Sequence, residues 1–136
     1  MRTTQQQARD WFAGARVARL GTTGQDGQPH LVPVTFAVVG EEIAIAVDHK
    51  PKRTTALRRL RNIEENPGVA LLADHYEDDW SQLWWVRVDG LAGIRDAADR
   101  PELVDALAAK YAQYRRQRPD EALIAITAQR WSGWHA

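Results

Sequence analysis

Residues 17–47 read VARLGTTGQDGQPHLVPVTFAVVGEEIAIAV. Val17–Thr22 and His30–Val39 are apolar and rich in β-branched residues, whereas Thr23–Pro29 is dense in turn formers. That pattern predicts two strands joined by a hairpin loop. Gly40-Glu41-Glu42 predicts a tight turn into a third strand, Ile43–Val47. Antiparallel strands accept links this short, whereas parallel strands need a crossover of roughly a dozen residues. The stretch therefore predicts an antiparallel sheet.

Outward from it, the chain alternates strands with a few helices. Thr3–Arg16 places Ala8, Trp11, Phe12 and Ala15 at helical spacing. Thr54 or Thr55 can cap a helix that runs to about Glu65, where Asn66-Pro67-Gly68 stops it. Val69–Ala73 and Trp84–Ile94 read as strands, and Ala122–Ala128 as the last one. Asp99-Arg100-Pro101-Glu102 reads as a capping box with Asp99 as cap. The helix it opens carries Leu103, Leu107, Tyr111 and Tyr114 on one face. The fold class is mainly β with flanking helices. Six antiparallel strands with helices at the ends and flank predict a closed or split β-barrel.

The 136 residues suit one domain, and a chain of this length buries about two-thirds of its unfolded surface without staples. Cysteine is absent, so disulfides and thiolate chemistry are excluded. No stretch approaches the apolar length of a membrane span, and residues 1–16 lack a signal-type apolar core; a cytoplasmic protein is expected. Eighteen basic residues balance eighteen acidic ones, which argues against a nucleic-acid binder. The charge is nevertheless uneven. Six of the twelve residues from Lys50 to Arg61 are basic, and four of the six from Asp74 to Asp79 are acidic. Such asymmetry suits a defined anion site. Of the six tryptophans, Trp80, Trp84, Trp85 and Trp134 lie beside polar or terminal sequence.

Three segments could carry chemistry. In Val47–Thr55 a strand ends, a basic turn follows and a helix begins. A helix entrance attracts anions, and Lys50, Lys52, Arg53 and Thr54 would add charges and a hydroxyl to it. A phosphate site and a solvated basic loop both remain open. On the helix, Arg61 flanks the apolar arc of Leu57, Leu60 and Ile63, and Arg58 and Arg59 are expected to point further out. In His30–Phe36, proline inside an apolar strand marks an edge or a bulge; a bulge would aim Thr35 at a flat ligand. In Asp74–Gly90 an acidic, aromatic loop leads into a strand whose alternation puts Trp85, Arg87 and Asp89 on one side. An arginine among apolar neighbours needs an anionic partner, here either a ligand or a nearby carboxylate. His30, His49, His75 and His135 have no metal-ligand spacing, so no metal is expected. Patterns GxSxG, GxGxxG and Walker A are missing, so any nucleotide cofactor needs a different kind of site.

Read together, ARLGTTGQDGQPHLVPVTF, VDHKPKRTTALRRLRNIEENPGVALLADHYEDDWSQLWWVRVDGLA and RWSGW give a resemblance over the whole chain. It resembles the pyridoxamine-phosphate-oxidase-like split-barrel flavoproteins. Within them it is similar to the small actinobacterial branch assigned to deazaflavin, coenzyme F-420. The resemblance implies a six-stranded, Greek-key, FMN-binding type of split barrel that forms a homodimer with cofactor sites at its interface. It implies that Pro33, Val34, Thr35 and Phe36 run beside the ring system. It also implies that Lys50, Lys52, Arg53 and Thr54, with Arg61, hold the phosphate-bearing tail. Trp80, Trp85 and Arg87 would close the site. The vitamin B6 contacts of the better-known oxidases have no counterparts here.

The expected function is an F-420-dependent oxidoreductase that exchanges a hydride with a small organic molecule. An FMN-dependent oxidase or reductase, and a non-catalytic carrier or sensor of flavin, F-420 or haem, are the alternatives. F-420 has a longer anionic tail than FMN, and the run of cations favours it. No acid or base is required for hydride transfer, so no catalytic side chain is named.

Overall fold

The strand that sequence alternation reads as continuous from His30 to Val39 is broken in the middle, and this break organises the molecule. The computed structural model describes residues 1–47 and 54–136. In it β1 (Ala18–Thr23) turns back into β2 (Pro29–Val34), and Thr35-Phe36 then bends the chain into β3 (Ala37–Val39). β4 is Glu42–Ala46, β5 Gly68–His75, β6 Trp84–Asp96 and β7 Ala122–His135. All pairings are antiparallel, in the order β2-β1-β5-β6-β7-β4-β3. β2 and β3 are thus the two edges of one sheet, yet they are covalent neighbours. The sheet rolls up until its edges meet at Thr35-Phe36, which makes the split barrel. The strand count is seven, one more than expected, because this corner divides one predicted strand in two.

Helix α1 (Gln5–Gly14) starts with a reciprocal cap: Gln7 N–H donates to Thr4 Oγ1, and Thr4 N–H donates to Gln7 Oε1. It sends Ala8 and Phe12 into the barrel, where Phe12 meets Phe36 at 4.6 Å and Trp131 at 5.7 Å. Leu20, Ile43, Leu71, Val86, Val88 and Ile126 complete this core. Helix α2 (Thr54–Glu65) adds Ile63, and Asn62 beside it donates to Thr22 Oγ1 at 3.1 Å. Thr54 is the first helical residue rather than the cap expected of it.

Helix α3 (Pro101–Lys110) builds a second core on the outside of the barrel. Leu103, Val104 and Leu107 cover Ala37, Ala44, Leu123 and Ala125. Its start differs from the expected capping box. Asp99 belongs to a 3-10 turn over Ala97–Asp99 that Asp96 caps, and Arg100 is the residue before the helix. Glu102 pairs with Arg100 instead of reaching back to a cap. Tyr111 leaves helical geometry, and a short α4 (Ala112–Arg116) follows. No helix among the described residues is long and apolar enough to cross a membrane.

β7 runs seven residues beyond its expected end, and between Asp89 and Gly90 of β6 its register slips. Gly90 faces Ala128 and Asp89 faces Arg130, so Gln129 is an extra residue, a β-bulge. Ile124, Ile126 and Ala128 point inward before it; Trp131 does so after it. A bulge reverses which side each later residue faces. Arg130, Ser132 and Trp134 consequently face outward with Asp89, Arg87 and Trp85. Gly90 is required here, because a Cβ on it would lie 2.7 Å from Thr127 O and 2.8 Å from Ile126 Cγ2.

Candidate functional site

The β2–β3 corner is fixed by a polar network from α3, α4 and the end of α1. Phe36 N–H donates to Tyr111 Oη at 3.2 Å, and Tyr111 O–H donates to Arg16 O at 2.9 Å. Thr35 Oγ1 and Tyr114 Oη share a hydrogen bond of 2.7 Å. Lys110 Nζ donates to Ala13 O at 3.0 Å and sits 3.8 Å from the centroid of the Phe36 ring. Burial, followed by the neighbouring Arg16 charge, pulls the Lys110 ammonium down from 10.5 to about 8. Burial also raises the Tyr111 phenol. Of the ring-side residues implied by the sequence, Val34 and Phe36 turn their side chains into the core, and Thr35 is partly exposed. Pro33 lies exposed on β2, which among the described strands pairs only with β1; it marks an edge rather than a bulge. Among the described residues the outer side of β2 therefore keeps backbone donors and acceptors outside the sheet pairing.

Lys50, Lys52 and Arg53 lie outside the described residues. On α2 the expected order of the arginines is reversed. Arg61 is exposed, whereas Arg58 approaches Asp26 at 3.8 Å and Arg59 is partly buried, its Nε without a partner. His30 faces this pair. Burial, then the charges of Arg58 and Arg59, lower its pKa. The helical wheel ranks distance from the helix's own apolar arc, and here the β1–β2 hairpin folds over the neighbouring flank.

The other named residues lie on the outer face of β2, β1, β5, β6 and β7. Pairing lines them up in transverse rows. One row is Leu31, Gly21, Ala70, Asp89 and Arg130; the next is Pro33, Arg19, Leu72, Arg87 and Ser132; a third is Asp74, Trp85 and Trp134. Three strand spacings, about 14 Å, separate Pro33 from Arg87 along a row. Within one chain the ring-side residues and the Trp85–Arg87 pair are thus set apart. Arg87 Nε meets Asp89 Oδ2 at 3.4 Å, so the anionic partner that the sequence left open is at least in part this carboxylate. Trp80 is 76% exposed on a 3-10 turn, Trp80–Gln82. Asp79 holds that turn by accepting from Ser81 N–H at 3.1 Å and Ser81 O–H at 2.6 Å, bonds that lower its own pKa. No cluster of metal-ligating side chains occurs among the described residues.

A cleft of about 400 Å³ opens where this face meets the amino-terminal segment. Arg2, Trp85, Arg87, Arg130 and Trp134 line it. Of the residues lining this cleft, the sequence reading named Trp85 and Arg87 and did not name Arg2 or Arg130. Strict alternation continued from Ile126 would turn Arg130 and Trp134 into the core. The available signal was a charge at 130 among those alternating positions.

The family model for pyridoxamine 5'-phosphate oxidase matches residues 4–135. Among curated protein sequences none matches the chain. Solved structures resemble it in fold at low identity. A conserved hypothetical protein, Rv2991 of Mycobacterium tuberculosis, is 23% identical with a TM-score of 0.75, covering 98% of this chain and 85% of that one. An FAD-binding protein of Mesorhizobium loti is 18% identical with a TM-score of 0.76, covering 98% and 93%. The haem storage protein HutZ of Vibrio cholerae is 16% identical with a TM-score of 0.71, covering 96% and 92%.

Proposed function

The chain belongs to the pyridoxamine 5'-phosphate oxidase family, and from that premise we propose that it is an oxidoreductase holding a flavin-type cofactor between two copies of itself. The observation that carries this reading is the open edge of β2 beside an uncovered sheet face. The residues present fit such a group. Unpaired backbone groups along β2 suit the polar rim of a planar heterocycle. Thr35 stands at that edge with its hydroxyl positioned by Tyr114. The cations between Lys50 and Arg61 suit an anionic tail.

The second copy follows from the same face. Leu31, Leu72 and Leu91 are exposed around the small residues Gly21 and Ala70. Arg19 and Arg87 there are matched by Asp74 and Asp89. A flat face with apolar residues and charges of both signs can dock on itself about a two-fold axis. Such docking would bring Trp80, Trp85 and Arg87 of one copy toward the β2 edge of the other. An isologous pair would have about twice the 15.4 kDa mass of the chain.

We assign the cofactor as F-420 in preference to FMN, because the run of cations from Lys50 to Arg61 exceeds what one phosphate uses even without Arg58, which approaches Asp26. Bound in its reduced form, F-420 would supply the hydride for reduction of a small organic acceptor and would itself be oxidised. The chain's own part is to bind the tail, orient the ring edge with fixed backbone groups and exclude water. The test is a tryptophan-fluorescence titration with F-420, FMN, FAD and haem at low and high salt. F-420 is expected to bind most tightly, with a preference over FMN that shrinks as salt screens the tail contacts. Tighter FMN binding at both salt levels would move the assignment to a flavin enzyme. Binding of haem alone would replace the redox reading with a carrier.

A further inference from the structure

Lysine supplies only three of the eighteen basic residues, Lys50, Lys52 and Lys110; the rest are arginine. Lys110 has no part in the cofactor reading. It is the last residue of α3, where Tyr111 leaves helical geometry, and its side chain reaches across to the end of α1. It stays partly exposed there.

The surroundings of its amine are apolar or positively charged. Nζ lies 3.8 Å from the Phe36 ring centroid and 5.3 Å from that of Tyr111. Its hydrogen-bond partner is a neutral carbonyl, Ala13 O, at 3.0 Å. Among the described residues no carboxylate pairs with it. Arg16 Nη2 donates to Lys110 O at 3.1 Å, and its guanidinium lies 4.7 Å from the Tyr111 centroid, so two cations share one ring. A third cation, Arg115 of α4, donates to Ala108 O and Ala109 O. Neither phenol here offers a negative charge. Burial raises Tyr111, whose O–H is given to Arg16 O, and Tyr114 Oη is bonded to Thr35. Desolvation and a neighbouring like charge both oppose the ammonium, which accounts for its value of about 8. They are also the two conditions that make a lysine nucleophilic near neutral pH. The Ala13 carbonyl accepts from an amine as well as from an ammonium, so it holds Nζ in either state, and the neutral nitrogen keeps its lone pair.

We propose that Lys110 is a site of covalent acylation, and that its donor is a small acyl phosphate whose phosphate docks on the exposed Arg16 guanidinium. The neutral amine attacks the acyl carbon. A C–N bond forms as the C–O bond to phosphate breaks. Inorganic phosphate leaves with the electron pair, and the surplus proton on nitrogen goes to water. The product is an uncharged amide that can still donate its N–H to Ala13 O and no longer repels Arg16.

The experiment is incubation of the full chain with acetyl phosphate between about pH 7 and 10, with peptide mass spectrometry following each lysine. At about pH 7.5, Lys110 is expected to be acetylated about fivefold or more faster than Lys50 or Lys52. Its rate should level off above about pH 9, once the amine is neutral. Arg16→Gln should slow acetylation of Lys110 by acetyl phosphate about tenfold, and Arg16→Lys should restore part of the loss. An uncharged donor, N-hydroxysuccinimidyl acetate, should be slowed less by Arg16→Gln, because only the anionic donor loses its dock. Circular dichroism of each variant confirms that it folds. A smaller preference for Lys110, an unreactive Lys110, or an Arg16→Gln variant that slows both donors equally or neither would overturn the proposal. The readout is the mass of one peptide, so it does not depend on which cofactor the chain binds.

Discussion

The outer surface of the barrel has two halves that differ in what covers them. Over β3, β4 and the first part of β7, the outward residues are Ala37, Ala44, Leu123 and Ala125, and α3 lies on them. Over β2, β1, β5 and β6 they include Leu31, Leu72 and Leu91, interleaved with Arg19, Arg87 and Asp89, and no element among the described residues covers them. Both halves carry apolar surface. Only the first keeps unpaired charge out: Glu42, on the same side of β4 as Ala44, is ion-paired with Arg100 at the start of α3, and a permanent cover requires such pairing, because a buried unpaired charge is too costly. The mixed half can meet water or a partner in turn. The composition of a sheet face thus reports whether its cover is part of the chain.

Stripping the permanent cover should have the largest effect. Leu107→Ala is expected to destabilise the fold by about 2–5 kcal/mol, since Leu107 of α3 is fully buried against the sheet. Leu31→Ala, on the mixed half and 70% exposed, should change chain stability by less than about 0.5 kcal/mol. Urea unfolding of both variants, at a concentration where the chain is monomeric, checks the contrast. Equal losses would mean that the two halves do not differ as described.

Gly90→Ala tests the hinge between the halves at an intermediate scale. The added Cβ collides with Thr127 O and Ile126 Cγ2, at an expected cost of about 1–3 kcal/mol. Some of that cost would be relieved if β7 lost its bulge, which would swing Arg130 and Trp134 inward. Unfolding together with the tryptophan emission of the folded variant, which shifts when Trp134 turns inward, separates a strained bulge from a lost one.

The smallest expected effect is a pH dependence within the covered half. Lys110 titrates near 8 in the fold because of burial and the nearby Arg16, against 10.5 as its ordinary value. Between these values the unfolded chain binds more protons than the folded one, so stability rises with pH. The contribution is at its lowest below about pH 8 and increases as Lys110 loses its proton. Unfolding of the wild type and Lys110→Met at pH 7 and about pH 9.5 isolates it, with wild type gaining on the variant at the higher pH. A gain in the opposite direction would show that the Phe36 ring and Ala13 carbonyl hold the ammonium more strongly than burial opposes it.

Much of this architecture was legible in the residues alone. The antiparallel β1–β2 hairpin, α1 with Ala8 and Phe12 on its buried side, and the outward set Trp85, Arg87 and Asp89 follow from period and turn chemistry, which act between neighbours in the chain. The division of the second strand was harder to see. Val34, Thr35 and Phe36 alternate as a strand should, and Thr35-Phe36 bends only because Tyr111 and Tyr114, more than seventy residues away, hold it. The placement of Arg58 and Arg59 against the β1–β2 hairpin was likewise invisible on a helical wheel.

The sequence by itself determined a mainly β domain with an antiparallel opening, a basic run from Lys50 to Arg61 and an excess of tryptophan beside charged segments. These depend on local preference and on counts. Only the tertiary structure decided that α3 covers one half of the barrel and leaves the other bare. Only the tertiary structure decided that an extra residue at Gln129 turns Arg130 and Trp134 out to join Arg2. The reason is physical: a one-residue slip between paired strands costs nothing in local pattern, yet it reverses the face of every side chain that follows.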